Sequence, residues 1–123
     1  MELGAFSISL NVKDIGTTQA FYEKLGFQPF GGHPDQGWVI LKNGICILGL
    51  FQGMIEKTTL TFNPGWDQDA DALESFSDVR DIQKALRKNG LSFESEADET
   101  TAGPASFVVV DPDGVPIMID QHV

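Results

Sequence analysis

A chain of 123 residues has material for one hydrophobic core, and folding would remove roughly two thirds of its extended-chain surface from water; two independent domains are excluded. Apolar residues make up 41% and charged ones 21%, which excludes wholesale disorder, because burial of that much hydrocarbon offsets the lost backbone entropy. Eight basic against eighteen acidic residues give a formal charge of -10. Such a field repels phosphate backbones and anionic lipid, so no nucleic acid or membrane partner is expected, whereas a cationic small molecule would be attracted.

No apolar run approaches the roughly 20 residues that span a bilayer. Met1 to Leu10 carries Glu2 and no basic residue, so it does not read as a secretory leader, and the cytoplasm is the expected location. Cys46, between Ile45 and Ile47, has no cysteine to pair with and is expected as a small core residue.

From Ala5 to Val12 the sequence alternates, with Phe6, Ile8, Leu10 and Val12 on one face and Ala5, Ser7, Ser9 and Asn11 on the other, the period of a half-buried strand. Asp14 to Leu25 places Ile15, Thr18, Phe21, Tyr22 and Leu25 at helical spacing, with Asp14 as N-cap and Gly26 as stop. Phe27 to Gly31, Gly37 to Leu41 and Ile45 to Phe51 are short strands separated by the polar His33-Pro34-Asp35 loop and by Lys42-Asn43-Gly44. The latter is a hairpin signal, because Asn and Gly accept the positive φ of a tight turn.

Gln52 to Lys57 is a link, Thr58 to Phe62 a further extended segment, and Asn63-Pro64-Gly65 a breaker. In the acidic stretch that follows, Asp67, Asp69, Asp71, Glu74, Asp78 and Asp81 meet only Arg80. Leu73 to Ser77 is a weaker strand, and Asp78 to Asn89 a helix with Val79, Ile82, Ala85 and Leu86 inward and Gly90 as stop. Lys84, Arg87 and Lys88 sit where positive charge suits the helix end. Leu91 to Phe93, Ala105 to Val110 and Val115 to Asp120 supply three more strands, the last two joined by Asp111-Pro112-Asp113-Gly114.

Asp14 and Gly26 bracket one helix and Asp78 and Gly90 the other at the same spacing, so the chain reads as a duplicated βαβββ module: about 1–52, a linker of about 53–66, and about 67–123. The expected architecture is α+β: two tandem modules in one domain, a curved mixed sheet, helices on its convex side. On the face opposite the helices, Ser7, Ser9, Met118 and Asp120 are expected together with Phe107 and Val109, an apolar floor with a few polar contacts. Trp38, Phe51 and Trp66 are expected at its rim, Trp66 beside acidic groups where stacking on a planar or cationic ligand is favourable. Asp120 and His122 could converge as a weak two-residue metal site. No dinucleotide fingerprint or phosphate loop is present.

These features resemble the vicinal oxygen chelate superfamily of glyoxalase I, bleomycin-resistance proteins and extradiol dioxygenases. The resemblance rests on Asn11-Val12-Lys13-Asp14, on Phe21-Tyr22-Glu23-Lys24-Leu25-Gly26-Phe27 and on Asp111-Pro112-Asp113-Gly114-Val115-Pro116-Ile117. It implies four metal-ligand places, which here hold Ser7, Gly49, Asp71 and Met118. A hydroxyl, no side chain, one carboxylate and a thioether do not add up to a site for Mg²⁺, Mn²⁺, Fe²⁺ or Zn²⁺. The resemblance therefore implies a member without metal or other cofactor, a homodimer that binds a small, basic or aromatic molecule in its concave cleft. The alternative is a metal-dependent enzyme, similar to lactoylglutathione lyase or an extradiol dioxygenase, with atypical ligands.

Overall fold

A computed structural model describes all 123 residues, Met1–Val123. The chain divides into two compact units, one of Ser7–Thr59 and one of Met1–Phe6 with Leu60–Val123. Two helices and seven strands, parallel and antiparallel pairs mixed, make it an α+β fold. No helix is long and apolar enough to cross a membrane.

In the first unit the chain runs β1 (Ala5–Val12), α1 (Ile15–Glu23), β2 (Gln28–His33), β3 (Trp38–Asn43) and β4 (Cys46–Gln52), with β1 beginning two residues before the unit does. The strands lie in the order β2-β3-β4-β1, with β1 parallel to β4 and the other pairs antiparallel. Helix α1 is capped by Asp14, whose carboxylate accepts the Thr17 N–H at 2.9 Å, and this bond, with those from the Thr17 side chain and the Gly16 N–H, holds the Asp14 carboxyl below its usual value. Val12, Ile15, Val39, Leu41 and Leu50 form the core with Leu10, Tyr22 and Phe27 against them. Leu41 and Leu50 are fully buried, and each contributes roughly 1.5–3 kcal/mol.

The inward stripe of α1 is narrower than its spacing predicts. Phe21 and Leu25 are exposed, and only Ile15 among its residues is buried. The tip of the β3–β4 hairpin is likewise wet: Ile45 is exposed and Cys46, expected in the core, lies on the surface. The turn itself is as expected, with Gly44 at φ +60.

The second unit contains β5 (Thr59–Asn63, entered at Leu60), α2 (Val79–Lys88), β6 (Ala105–Val110) and β7 (Pro116–Gln121), in the strand order β5-β7-β6. Here β5 is parallel to β7, as β1 is to β4, and β6 and β7 form the antiparallel hairpin. Val79 and Ile82 of α2 bury against Phe107, Val109 and Ile119, with Leu3, Phe62, Leu86 and Phe93 around them. The opening strand of this half is therefore β5, inside the stretch expected to be a linker, and Leu73–Ser77 forms no strand. Leu91–Phe93 forms none either; in its place Ser95 makes one isolated bridge to Val108.

Candidate functional site

Alternation along the strands of the first unit decides what faces away from α1. Because Val12, Val39, Leu41 and Leu50 point into the core, the opposite face carries Ser7, Ser9 and Asn11 of β1, Trp38 and Ile40 of β3, and Gly49 and Phe51 of β4. Their register brings them side by side: Ser9 faces Gly49, Gly49 faces Ile40, and Phe51 lies between Asn11 and Trp38. Trp38 is half-buried, edge-on to His33 at 5.8 Å. Four residues of the sequence reading, Ser7, Ser9, Trp38 and Phe51, thus share one face.

Gly49 decides the chemistry of this face. A Cβ built there would come within 2.6 Å of Phe51 Cε2 and 3.3 Å of Ile40 Cδ1, so the ring of Phe51 fills the space that a ligating side chain would need. An open depression of about 360 Å³ lies elsewhere, lined by Gly26, Gln28, Pro29, Phe30, Lys42, Asn43 and Gly44, with the Lys42 ammonium 4.7 Å from the Phe30 ring centre. None of the expected site residues borders it.

In the second unit β7 sorts its residues the same way. Ile117, Ile119 and Gln121 face α2, leaving Met118 and Asp120 on the other side. The antiparallel register pairs Met118 with Val108, Asp120 with Ser106, and Phe107 with Ile119. Phe107 is fully buried against α2 and Val109 nearly so, so both belong to the core and not to the face of Met118 and Asp120. Ser106 and Val108 take the places expected for them.

Beside Asp120 a cluster forms that the sequence reading had only in pieces. The imidazole of His122 stacks on the indole of Trp66, ring centres 4.6 Å apart and planes within 5°, and its Nε2–H donates to Asp120 Oδ2 at 3.0 Å. Trp66 is held by its backbone: its carbonyl accepts from Ala5 at 3.1 Å, its N–H donates to Asn63 at 3.2 Å, and it bridges Ala72. Gly65, at φ +91, permits the approach of Val123, because a Cβ there would collide with the valine side chain.

The hydrogen bond that His122 donates to Asp120 raises the His122 pKa, against the opposing effect of burial. A group raised in the folded state adds stability below its unfolded pKa, near 6.5, and loses it as pH climbs through the folded value. In an NMR titration, Asp120→Asn should therefore lower the His122 midpoint; an unchanged midpoint would show that the carboxylate does not hold the ring in solution.

Asp71, one of the four places implied by resemblance, lies on no strand but in a loop closed on Asp67. Its N–H and that of Asp69 donate to Asp67 Oδ1 at 3.0 and 2.9 Å, and the Asp67 N–H donates to the Asp71 carbonyl. One ligand oxygen from each of Asp67, Asp69 and Asp71 lies within 4.8 Å of the others, a group able to hold a cation. Of the four places implied by resemblance, Gly49 carries no side chain, Met118 carries a thioether, Ser7 a hydroxyl, and Asp71 is on no strand.

The paired opening and closing strands, each half capped by one helix, define a duplicated α+β class that comparison with known proteins places in a family. The sequence profile of the glyoxalase/bleomycin resistance protein/dioxygenase superfamily matches residues 4–119, and the chain belongs to that superfamily. Among solved structures it is similar to the NAD-dependent benzaldehyde dehydrogenase from Legionella pneumophila, at 21% identity and a TM-score of 0.71 over 96% of this chain and 99% of that one. It is also similar to a glyoxalase/bleomycin resistance protein/dioxygenase superfamily member from Vibrio splendidus 12B01, at 18% identity and a TM-score of 0.65 over 94% and 97%. A hypothetical protein, BH1468 from Bacillus halodurans C-125, follows at 15% identity, a TM-score of 0.63 and coverage of 95% and 92%. At these identities the likeness is one of fold. No curated protein sequence matches.

Proposed function

We propose that this superfamily member binds a small aromatic or basic molecule without a metal, holding it reversibly rather than transforming it. The observation that carries this reading is Gly49, which offers no ligand and where the Phe51 ring occupies the space a Cβ would take. A face that offers rings and hydroxyls where metal-using relatives offer imidazole and carboxylate is suited to stacking and apolar contact. Trp38, Phe51, Ser7 and Ser9 supply such a face in one unit. Trp66, Met118 and Asp120 supply aromatic surface, a soft side chain and a negative charge in the other, and the net charge of -10 favours basic ligands. On this reading the protein works in the cytoplasm as a homodimer.

Titration calorimetry with a panel of aromatic amines, polyamines and basic glycopeptides tests it. Saturable binding is expected, indifferent to chelator and weakened about tenfold by Trp66→Leu, the loss of one ring contact with a cation. Absence of saturable binding across the panel would remove the reading. Near-stoichiometric Fe, Mn, Ni or Zn in protein purified without chelator would move the case to a metal-dependent enzyme.

A further inference from the structure

A ring stacked on a tryptophan and paired to a carboxylate is the way proteins hold flat cations, and in this protein the ring is its own. His122 lies over Trp66 at 4.6 Å with the planes within 5° and reaches Asp120 Oδ2 at 3.0 Å. An imidazole ring is planar, delocalised and donates an N–H bond in its plane, so the stacking and the in-plane contact it makes are those an amidinium or guanidinium would make. We propose that Trp66 and Asp120 form a binding site for a flat cation bearing in-plane N–H donors, and that the His122 ring is the resident occupant such a ligand displaces. This inference rests on the reading of the protein as a small-molecule binder and specifies the ligand chemistry and the control of one part of it.

The surroundings suit exchange of the His122 ring for a ligand. The His122 side chain is 46% exposed. The last ladder pair of β7 is Ala105 with Gln121, so the imidazole can swing away without breaking a strand hydrogen bond. The backbone beyond it stays anchored, since Gln121 Nε2 donates to the Val123 carbonyl oxygen at 2.9 Å and Val123 packs on Gly65. Only the ring need leave. Asp67 follows Trp66 directly in the chain, and its carboxylate gathers with those of Asp69 and Asp71, so the approach to the indole is negative and concentrates cations. No lysine or arginine is paired with Asp120.

An internal occupant lowers the apparent affinity by the fraction of time it holds the site. The probe is benzamidinium, with neutral benzamide as its counterpart of equal shape, added to the full chain and followed by the Trp66 indole ¹H–¹⁵N resonance; the backbone amide resonances of the Val79–Lys88 helix report that the fold is intact. His122→Ala is expected to bind benzamidinium about tenfold more tightly than the unaltered protein, and benzamide to bind neither. His122→Phe, which keeps a ring on the indole, should show no such gain. Equal benzamidinium affinity with and without His122 would overturn the internal occupant while leaving the binding reading in place. A Trp66 resonance that responds in no variant would overturn the site itself, and the wider ligand panel then decides the binding reading separately.

Discussion

Arg80→Met should cost about 1–3 kcal/mol of folding stability, the range for leaving buried hydrogen-bond acceptors without their donor. Arg80 is 5% exposed, and every donor of its guanidinium is used. Nη1 contacts both Asp78 oxygens, at 3.1 and 3.3 Å, and the Gly103 carbonyl; Nη2 donates to Thr101 Oγ1 and to Gly103; Nε donates to the Asp98 carbonyl at 2.9 Å. The side chain thereby ties the start of α2 to the 98–103 loop. Without it the loop carbonyls lose their donors and Asp78 loses its counter-charge. Burial pushes the Asp78 carboxyl up, but the Arg80 backbone N–H, the Gln121 amide and the guanidinium together hold it below its usual value, a contribution present above the unfolded pKa and lost as pH falls through the folded one. The variant should therefore melt roughly 10 °C lower at neutral pH, with the gap from the unaltered protein narrowing in acid. Amide exchange should speed up first across 98–103. Arg87→Met is the contrast: Arg87 pairs with Glu96 and Glu99 at 2.6 and 2.9 Å but is half exposed, and its loss should barely move the melting temperature. If the two variants melted alike, the buried network would not be what pins the loop.

That network marks the boundary of what the sequence could reveal. Asp14 was readable as a cap, and Asp78 as the start of a helix, because the capping bond joins residues two or three apart, and β1 was readable because alternation needs no knowledge of a partner. Arg80 and Gln83 were not readable as buried. Their partners, Asp98, Gly103 and Ala97, lie 14 to 23 residues further on, and a count of apolar positions on a helix assigns both to solvent. The acidic stretch misled for a related reason: Asp67 accepts from Asp69 and Asp71 and folds it into a turn, so Leu73–Ser77 has no neighbouring strand. Thr59, Thr61 and Asn63 alternate with Leu60 and Phe62, the same period that identified β1, so the extended segment was readable at Thr58 to Phe62, but its role as the opening strand of the second half was not, because the acidic stretch was given that place. The Trp66–His122 stack joins residues 56 positions apart by sequence number, and its only early sign was Asp120 two residues before His122.

The other large effect separates the two roles available to Phe107. Period two fixes which residues of a strand share a face, but not which face; the phase comes from the partner strand and the turn. Here the Asp111–Gly114 turn closes with the Gly114 N–H on the Asp111 carbonyl at 3.0 Å and the Val115 N–H on Asp111 Oδ1 at 2.8 Å. This sets Val110 opposite Pro116 and hence Phe107 opposite Ile119. A shift of one residue would have put Phe107 beside Met118, as its spacing alone allowed. In the core, Phe107 meets Phe93 edge-on at 5.4 Å and packs with Val79, Ile82 and Ile119. Phe107→Ala should accordingly cost about 3–5 kcal/mol, the lost transfer energy plus the cavity left behind, and Phe107→Leu appreciably less. Urea unfolding measures the cost, with an unchanged slope expected if the same core is lost in one step. Ligand affinity of the folded Phe107→Leu protein should stay where it was. A variant of full stability that bound its ligand more weakly would return Phe107 to the open face and place the second unit's register one residue away from where the turn sets it.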